Sequence, residues 1–372
     1  MSGIILTACV AAGLAGGAGG GPPAPPDAAA PDAAGAWTRV RVEQVQMGSP
    51  FVFTCYAGSE APAKNACRDA GRRVKELTAA LSDYHDGSEL NRLCDGYVPG
   101  RPVAVSADLA RTLARAAEVS AASDGAFDVT VGPLVKRWRR VRRTRELPPP
   151  EELAALRDRV DWRAVAVNEE AGTVTFARPG VRLDLGGIAK GYAADEAGRV
   201  LRAAGVTRFL IDAGGDLLAG DPPPGEAGWT IGLPPLAPTA PDAPPTRFRT
   251  LANAAVATSG DAFKYTEIDG ERYSHIVDPR TGLGLTDRST VTVVAPDGMT
   301  ADAYASAVSV LGPERGVGLL DRTPGVEGRV INEDGVRDSA GFPDRRPDGR
   351  PDRRPDRGPD QPSPIGEPGG GR

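Results

Sequence analysis

Apolar residues recur at helical spacing in several stretches of the chain. Ala66, Ala70, Val74, Leu77 and Leu81 fall three or four residues apart and mark one face of an α-helix. Leu109, Leu113 and Ala117 repeat that interval behind Ser106, whose hydroxyl suits an N-cap. A further helix is predicted to start near Ala189, to turn Ala193, Ala197, Val200 and Leu201 toward a core, and to stop at Gly205. Between these lie short stretches with strand patterning. Residues 164–167 and 173–177 flank the polar turn 168–172 as a hairpin, and 181–185 follow as a third strand. Later strands are expected at 208–211, 229–233, 255–257, 273–277, 289–295 and 328–332. No regular strand–helix–strand repeat emerges, so the expected class is α+β, with mixed or antiparallel sheets and packed helices.

The flanks lack this patterning. Of the 372 residues, 47 are glycine and 35 proline, and they crowd into 16–31 and the stretch from Phe342 onward, where no apolar face can form. The division expected is therefore a leader at 1–9, a disordered linker at 10–36, one catalytic domain at 37–341 and a disordered tail at 342–372. In the tail Asp344, Asp348, Asp352, Asp356 and Asp360 recur every four residues among arginines. Residues 236–247 form a proline-rich insertion, and the basic run 136–145 is expected as a solvated helix face or loop without function. A formal charge of −5 leaves no basic surface, so nucleic acid is not an expected partner. At the front, Ile4-Ile5-Leu6-Thr7-Ala8-Cys9 resembles a bacterial lipobox, although Met1-Ser2-Gly3 carries no cation and the apolar run is short. That resemblance implies an exported lipoprotein of the cell envelope, held to the membrane through a lipidated Cys9 on a flexible tether. Cys55, Cys67 and Cys94 remain, so at most one disulfide can form among them, and sequence does not choose the pair.

Candidate chemistry gathers in three places. In 255–282, Thr258, Ser259 and Gly260 offer hydroxyls and close backbone approach. The strand that follows carries His275 and Ile276 toward the turn Asp278-Pro279-Arg280-Thr281-Gly282, so hydroxyls, histidine and charge can converge on a polyanion. At 184–190, Asp184, Gly186, Gly187 and Lys190 place amide groups, a helix N-terminus and an ammonium at one anion site, and Gly214 and Gly215 supply a second close-approach turn. Asp302 and Ser306 share one helix face, where carboxylate and hydroxyl oxygens can hold Mg²⁺. Each feature alone fits an ordinary turn or cap equally well. Zinc is not expected, because the only histidines are His85 and His275 and there is no C-x-x-C.

Taken in order, the blocks point further. Met47-Gly48-Ser49, Ser82-Asp83-Tyr84 with Ser88-Glu89-Leu90, Gly125 to Leu134 (GAFDVTVGPL) near Trp138, Leu183 to Tyr192 (LDLGGIAKGY), Ala213-Gly214-Gly215-Asp216, the ATSG…SHI-DP-TG segment and Ala301-Asp302 with Ser306 resemble the ApbE family, the FAD:protein FMN transferases. The resemblance runs from about residue 40 to about residue 340. It implies a T-fold-like catalytic domain that moves FMN from FAD to a threonine hydroxyl of an acceptor flavoprotein and releases AMP. It implies Mg²⁺ on Asp302, the hydroxyl at 306 and a carbonyl of Gly187, with Ser306 standing where the family has Thr. It further implies FAD contacts from Met47, Tyr84, Ala126, Phe127, Asp128, Asp184, Lys190, Gly214, Gly215, Thr258, Ser259, Gly260, His275 and Ile276. The catalytic expectations are His275 as base, Asp278 as its orienting group or as the proton acceptor, and Lys190 on the phosphoryl charge. Two alternatives stay open at this point: hydrolysis of FAD to FMN and AMP, and a flavin-binding lipoprotein without turnover.

Overall fold

The computed structural model describes residues 37–236, 245, 247–260 and 264–342. The leader, Cys9, the linker, most of the insertion and nearly all of the tail lie outside them.

The described residues open with a hairpin, β1 (Thr38–Gln46) and β2 (Ser49–Ala57), paired antiparallel in full register. Met47 (φ 48°) and Gly48 (φ 72°) make the two-residue turn, whose paired positive φ values match the twist of the flanking strands. There follow α1 (Glu60–Leu81), α2 (Glu89–Gly96), β3 (Val103–Ala104), α3 (Ala107–Ala122), α4 (Gly132–Thr144), α5 (Pro150–Arg157), β4 (Val165–Asn168), β5 (Thr173–Phe176) and α6 (Ala189–Ala203). The second half holds β6 (Arg208–Ala213), β7 (Leu217–Ala219), β8 (Trp229–Leu233), β9 (Arg247–Leu251), β10 (Ala254–Gly260), β11 (Tyr265–Ile268), β12 (Glu271–Ser274), β13 (Ser289–Ala295), α7 (Gly298–Asp321), β14 (Glu327–Asn332) and β15 (Gly335–Asp338). Eight strands join in the order β1-β2-β6-β7-β10-β13-β14-β15, every pair antiparallel. Helices α1, α6 and α7 cover one face, and their alanine-rich stripes let them pack closely on Phe51, Phe53, Ile211 and Val293, all with no exposed surface. The β8-β9 hairpin closes the other face, where Trp229, Ile231, Leu210, Val256 and Phe342 form a second core.

The expected α+β class holds, as do the helices at α1, α3 and α6. Ser106 Oγ caps α3 by accepting from Leu109 N at 3.3 Å, and Gly205 takes φ 77° just past α6. Three strand expectations need correction. Residues 181–185 make only a single bridge, Val131 to Arg182, with Asp184 N donating to Val129 O at 2.7 Å, because no neighbouring strand extends a ladder there. The strand expected to run through Val277 ends at Ser274. The strand expected to end at Ala257 continues as β10 through Gly260, pairing Thr258 with Thr292 and Ser259 with Val291.

Candidate active site

Leu183, Leu185 and Ile188 are buried, so the segment between β5 and α6 is pinned by its apolar positions and turns Asp184, Gly186 and Gly187 to the other side. Leu185 O accepts from Ile188 N at 3.1 Å and Ala189 N at 2.9 Å, which starts α6. Glycine at 187 leaves room for its neighbours: a Cβ there would lie 2.8 Å from Ser306 Oγ and 3.3 Å from Phe127 Cε2, so a side chain would displace the Ser306 hydroxyl. This close approach brings Gly187, Ser306 and Phe127 together from three separate segments.

Helix α7 is held at its start by Asp297, which accepts from Thr300 N at 2.7 Å, and by Asp195, which accepts from Gly298 N at 2.6 Å and Met299 N at 2.8 Å. One turn in, Asp302 is 6% exposed and accepts from Gly191 N of α6 at 3.2 Å. Burial, and next the charge of Asp216, push its carboxyl up to about 7, against the opposing pull of Lys190 and the Gly191 amide. Lys190 Nζ forms an ion pair with Asp216. Burial lowers its pKa, but Asp216, Asp302 and Asp212 outweigh that and hold the ammonium above its usual range. Lys190 is thus engaged as the counter-charge of a carboxylate cluster beside the expected phosphate site. Asp216 closes the turn between β6 and β7, where Asp212 Oδ1 accepts from Gly215 N at 2.9 Å and Gly214 (φ 73°) lies against Ser49.

These residues fit a hard dication. Among the described residues no group of three or more His, Cys, Asp or Glu side chains could form a full metal cage. A single carboxylate from Asp302, the hydroxyl of Ser306 and backbone oxygen near Gly187 make an incomplete oxygen set, which is how Mg²⁺ binds when substrate phosphates and water complete its shell. Two further observations agree. The Asp302 carboxyl is short of compensating positive charge, and Ser306 Oγ has no hydrogen bond of the kind that Ser309 Oγ makes to Ala305 O at 2.9 Å among the described residues.

The residues expected to line the flavin are differently engaged. Ala126 and Phe127 are buried, at 2% and 7% exposure, and Phe127 touches the Gly187 turn. Asp128 does not present a free carboxylate: Oδ1 accepts from Thr130 N and Oγ1, both at 2.7 Å, and Oδ2 from Trp162 N at 3.0 Å, so it shapes the loop ahead of α4. Tyr84 is 74% exposed, with the Arg139 guanidinium stacked 3.8 Å from its ring centroid. Arg139 also pairs with Asp83 and reaches Asp184 Oδ2 at 3.3 Å. Burial, followed by the Asp83 charge, lifts Asp184 to about 6. Arg139 lies within the basic run expected as a solvated helix face, and that run does form the outer side of α4, with Lys136, Arg140, Arg142 and Arg143 exposed opposite the buried Leu134, Trp138 and Val141; Arg139 is the exception, turned to Asp83 and Asp184. Met47 is half-buried at the β1-β2 turn and packs on the main core.

His275 follows β12 directly. Its backbone N donates to Lys264 O at 2.9 Å and its ring Nδ1 lies 3.1 Å from the same carbonyl. A carbonyl only accepts, so Nδ1 carries the proton and Nε2 keeps a free lone pair. Burial, then Lys264, with smaller contributions from Arg142 and Lys190, push His275 down to about 4, so the ring is neutral at pH 7. Asp278 does not orient it. Its carboxylate is clamped by Arg280, through Nε to Oδ1 and Nη2 to Oδ2, each at 2.9 Å, which stiffens the Asp-Pro-Arg turn. Ile276 N donates to Ser274 Oγ at 3.1 Å. Thr258, Ser259 and Gly260 extend β10 past the end of β7, which pairs only with Ala254–Val256, so one edge there has no ladder partner among the described residues.

The ApbE family profile matches residues 47–330. The chain belongs to the ApbE family. The FAD:protein FMN transferase of Haemophilus influenzae is 32% identical over 257 residues, 67% of this chain and 73% of that protein. The FAD:protein FMN transferase of Treponema pallidum is 34% identical over 287 residues, 73% of this chain and 78% of that protein. The apo structure of the Pseudomonas stutzeri flavinyl transferase ApbE superposes with a TM-score of 0.72 at 28% identity, covering 82% of this chain and 95% of that one. Residues absent from the sequence expectation but built into this ApbE site are Asp83, Arg139, Asp212, Asp216 and Lys264. Asp83 and Asp216 lie inside recognised motifs, Ser-Asp-Tyr and Ala-Gly-Gly-Asp, whereas Arg139, Asp212 and Lys264 carry no local signal.

Proposed function

We propose that this FAD:protein FMN transferase works with Mg²⁺ and attaches FMN to a threonine hydroxyl of its acceptor. The observation that carries the reading is the junction of Gly187, Phe127, Ser306 and Asp302 beside the Lys190–Asp216 pair: an aromatic wall, a glycine turn and a hard oxygen set meet at one point. FAD lies across it with the isoalloxazine on the Phe127 and Tyr84 side and the pyrophosphate over the Gly186-Gly187 turn. When bound, Mg²⁺ supplies Lewis-acid neutralisation of the phosphoryl oxygens. Nε2 of His275 takes the proton of the acceptor hydroxyl as its oxygen bonds to the phosphorus next to riboflavin. The bond from that phosphorus to the bridging oxygen breaks, and AMP leaves with the electron pair. Lys190 keeps Asp216 and Asp302 from repelling the incoming phosphates.

Ser306→Ala tests the metal side. The variant is expected to need at least about 10-fold more Mg²⁺ for half-maximal AMP release, with kcat largely recovered at saturation. An unchanged Mg²⁺ requirement contradicts a ligand role for the hydroxyl.

The cellular setting is part of the proposal. Export and lipidation at Cys9 place the enzyme on the outer side of the cytoplasmic membrane, and among the described residues no helix is long and apolar enough to cross it. Cys9→Ser is then expected to move the protein from the membrane to the soluble fraction with its specific activity intact. A wild type already soluble in its host contradicts the anchor.

A further inference from the structure

Cys55 and Cys67 stand apart from the site, and nothing in the proposed chemistry uses them. Cys55 lies on β2 and Cys67 on α1, both without exposed surface, and their Sγ atoms are 3.7 Å apart. Cys94, the other described cysteine, is engaged elsewhere, accepting from Leu183 N at 3.4 Å. The sulfurs face each other because Cys55 shares the inward side of β2 with Phe51 and Phe53, while Cys67 lies on the buried stripe of α1 with Ala63, Ala66, Ala70 and Val74. A dithiol metal site is not available, since among the described residues no third ligand joins them.

We propose that Cys55 and Cys67 form a disulfide that staples α1 to β2, the second strand of the main sheet. The sulfurs must close by about 1.7 Å to reach bonding distance, a movement that side-chain rotation and small backbone shifts can supply. The step is an oxidation: two thiols lose two protons and two electrons as the S–S bond forms. A thiol–disulfide oxidant, a small disulfide or a disulfide-bearing protein, accepts them and is released as two thiols. Because the native pair is sealed in the core, oxidation belongs to folding, before α1 docks on β2. The staple lies six residues along β2 from Ser49, about 20 Å from the Gly214 turn, so its effect falls on stability and not on turnover.

The full chain is unfolded, refolded in a glutathione redox buffer, denatured in acid, alkylated and digested for mass spectrometry. A Cys55–Cys67-linked peptide lacking two hydrogens is expected, with Cys94 alkylated, and the same link in Cys94→Ala. The linked protein is expected to melt at least about 4 °C above the same sample kept reduced. AMP release at room temperature is expected to be equal in the two. Complete alkylation of both cysteines, a link to Cys94, or a link without any gain in melting temperature overturns the proposal.

Discussion

Asp302→Asn is expected to lower AMP release from FAD by roughly 10²-fold or more while the protein stays folded. The substitution keeps the acceptor oxygen for the Gly191 amide and changes almost no volume, so it removes charge and little else. Its effect on stability has a definite sign. The folded carboxyl titrates near 7, above its ordinary value of 3.8, so the folded state binds a proton more tightly than the unfolded chain. That contribution is fully favourable below about pH 4 and is lost as pH rises through 7. At pH 8 without metal the ionised side chain is therefore a liability, and Asn relieves it. The metal-free variant is expected to melt at or above wild type at pH 8. Mg²⁺ is expected to raise the melting temperature of wild type and leave the variant unmoved. Melting curves with and without Mg²⁺ check this. A variant still stabilised by Mg²⁺, or fully active, removes Asp302 from the metal site.

His275→Ala is expected to cost 10²–10⁴-fold in rate, the usual span of general-base help, with little change in FAD affinity. The pH profile carries the sharper test. Burial and the surrounding cations place the His275 proton near 4, so at saturating Mg²⁺ the acid limb of kcat/KM should fall near pH 4 and not near 6.5. In His275→Ala that limb should vanish. Fluorescence titration with FAD and AMP-release kinetics across pH separate the two outcomes. Loss of FAD binding with normal turnover of bound FAD shows that His275 is a binding residue.

The helices α1, α3 and α6 were legible because their burial follows a single period, and β8 and β13 because their apolar runs end at turn residues. The β1-β2 hairpin is not legible from the sequence pattern. β1 alternates charged residues with Val40 and Val42, so it shows no continuous apolar run, and its turn, Met47-Gly48, lacks the Asn-Gly or Asp-Gly pair that marks a hairpin. The segment 181–185 alternates like a strand, yet its leucines anchor a loop that delivers Gly187 to Ser306. Spacing placed Asp302 and Ser306 on one helix face correctly, since that geometry is local to α7. It could not assign Asp128 or Asp278, whose carboxylates are taken by Thr130 and Trp162 and by Arg280. Nor could it find Arg139, which meets Asp83 and Asp184 across 56 and 45 residues of chain. Ion pairs of that separation are set by how α4 packs beside the glycine turn, and no periodicity encodes them.

The proposed reaction is transfer of FMN to a threonine hydroxyl with Mg²⁺ bound, with AMP as the leaving group. Purified enzyme, FAD, Mg²⁺ and an acceptor protein should give AMP and flavinylated peptide in equal amounts. Tandem mass spectrometry should place FMN on one threonine as a phosphoester, and chelation should stop both products together. AMP released with free FMN and an unmodified acceptor contradicts transfer and makes the same site a hydrolase.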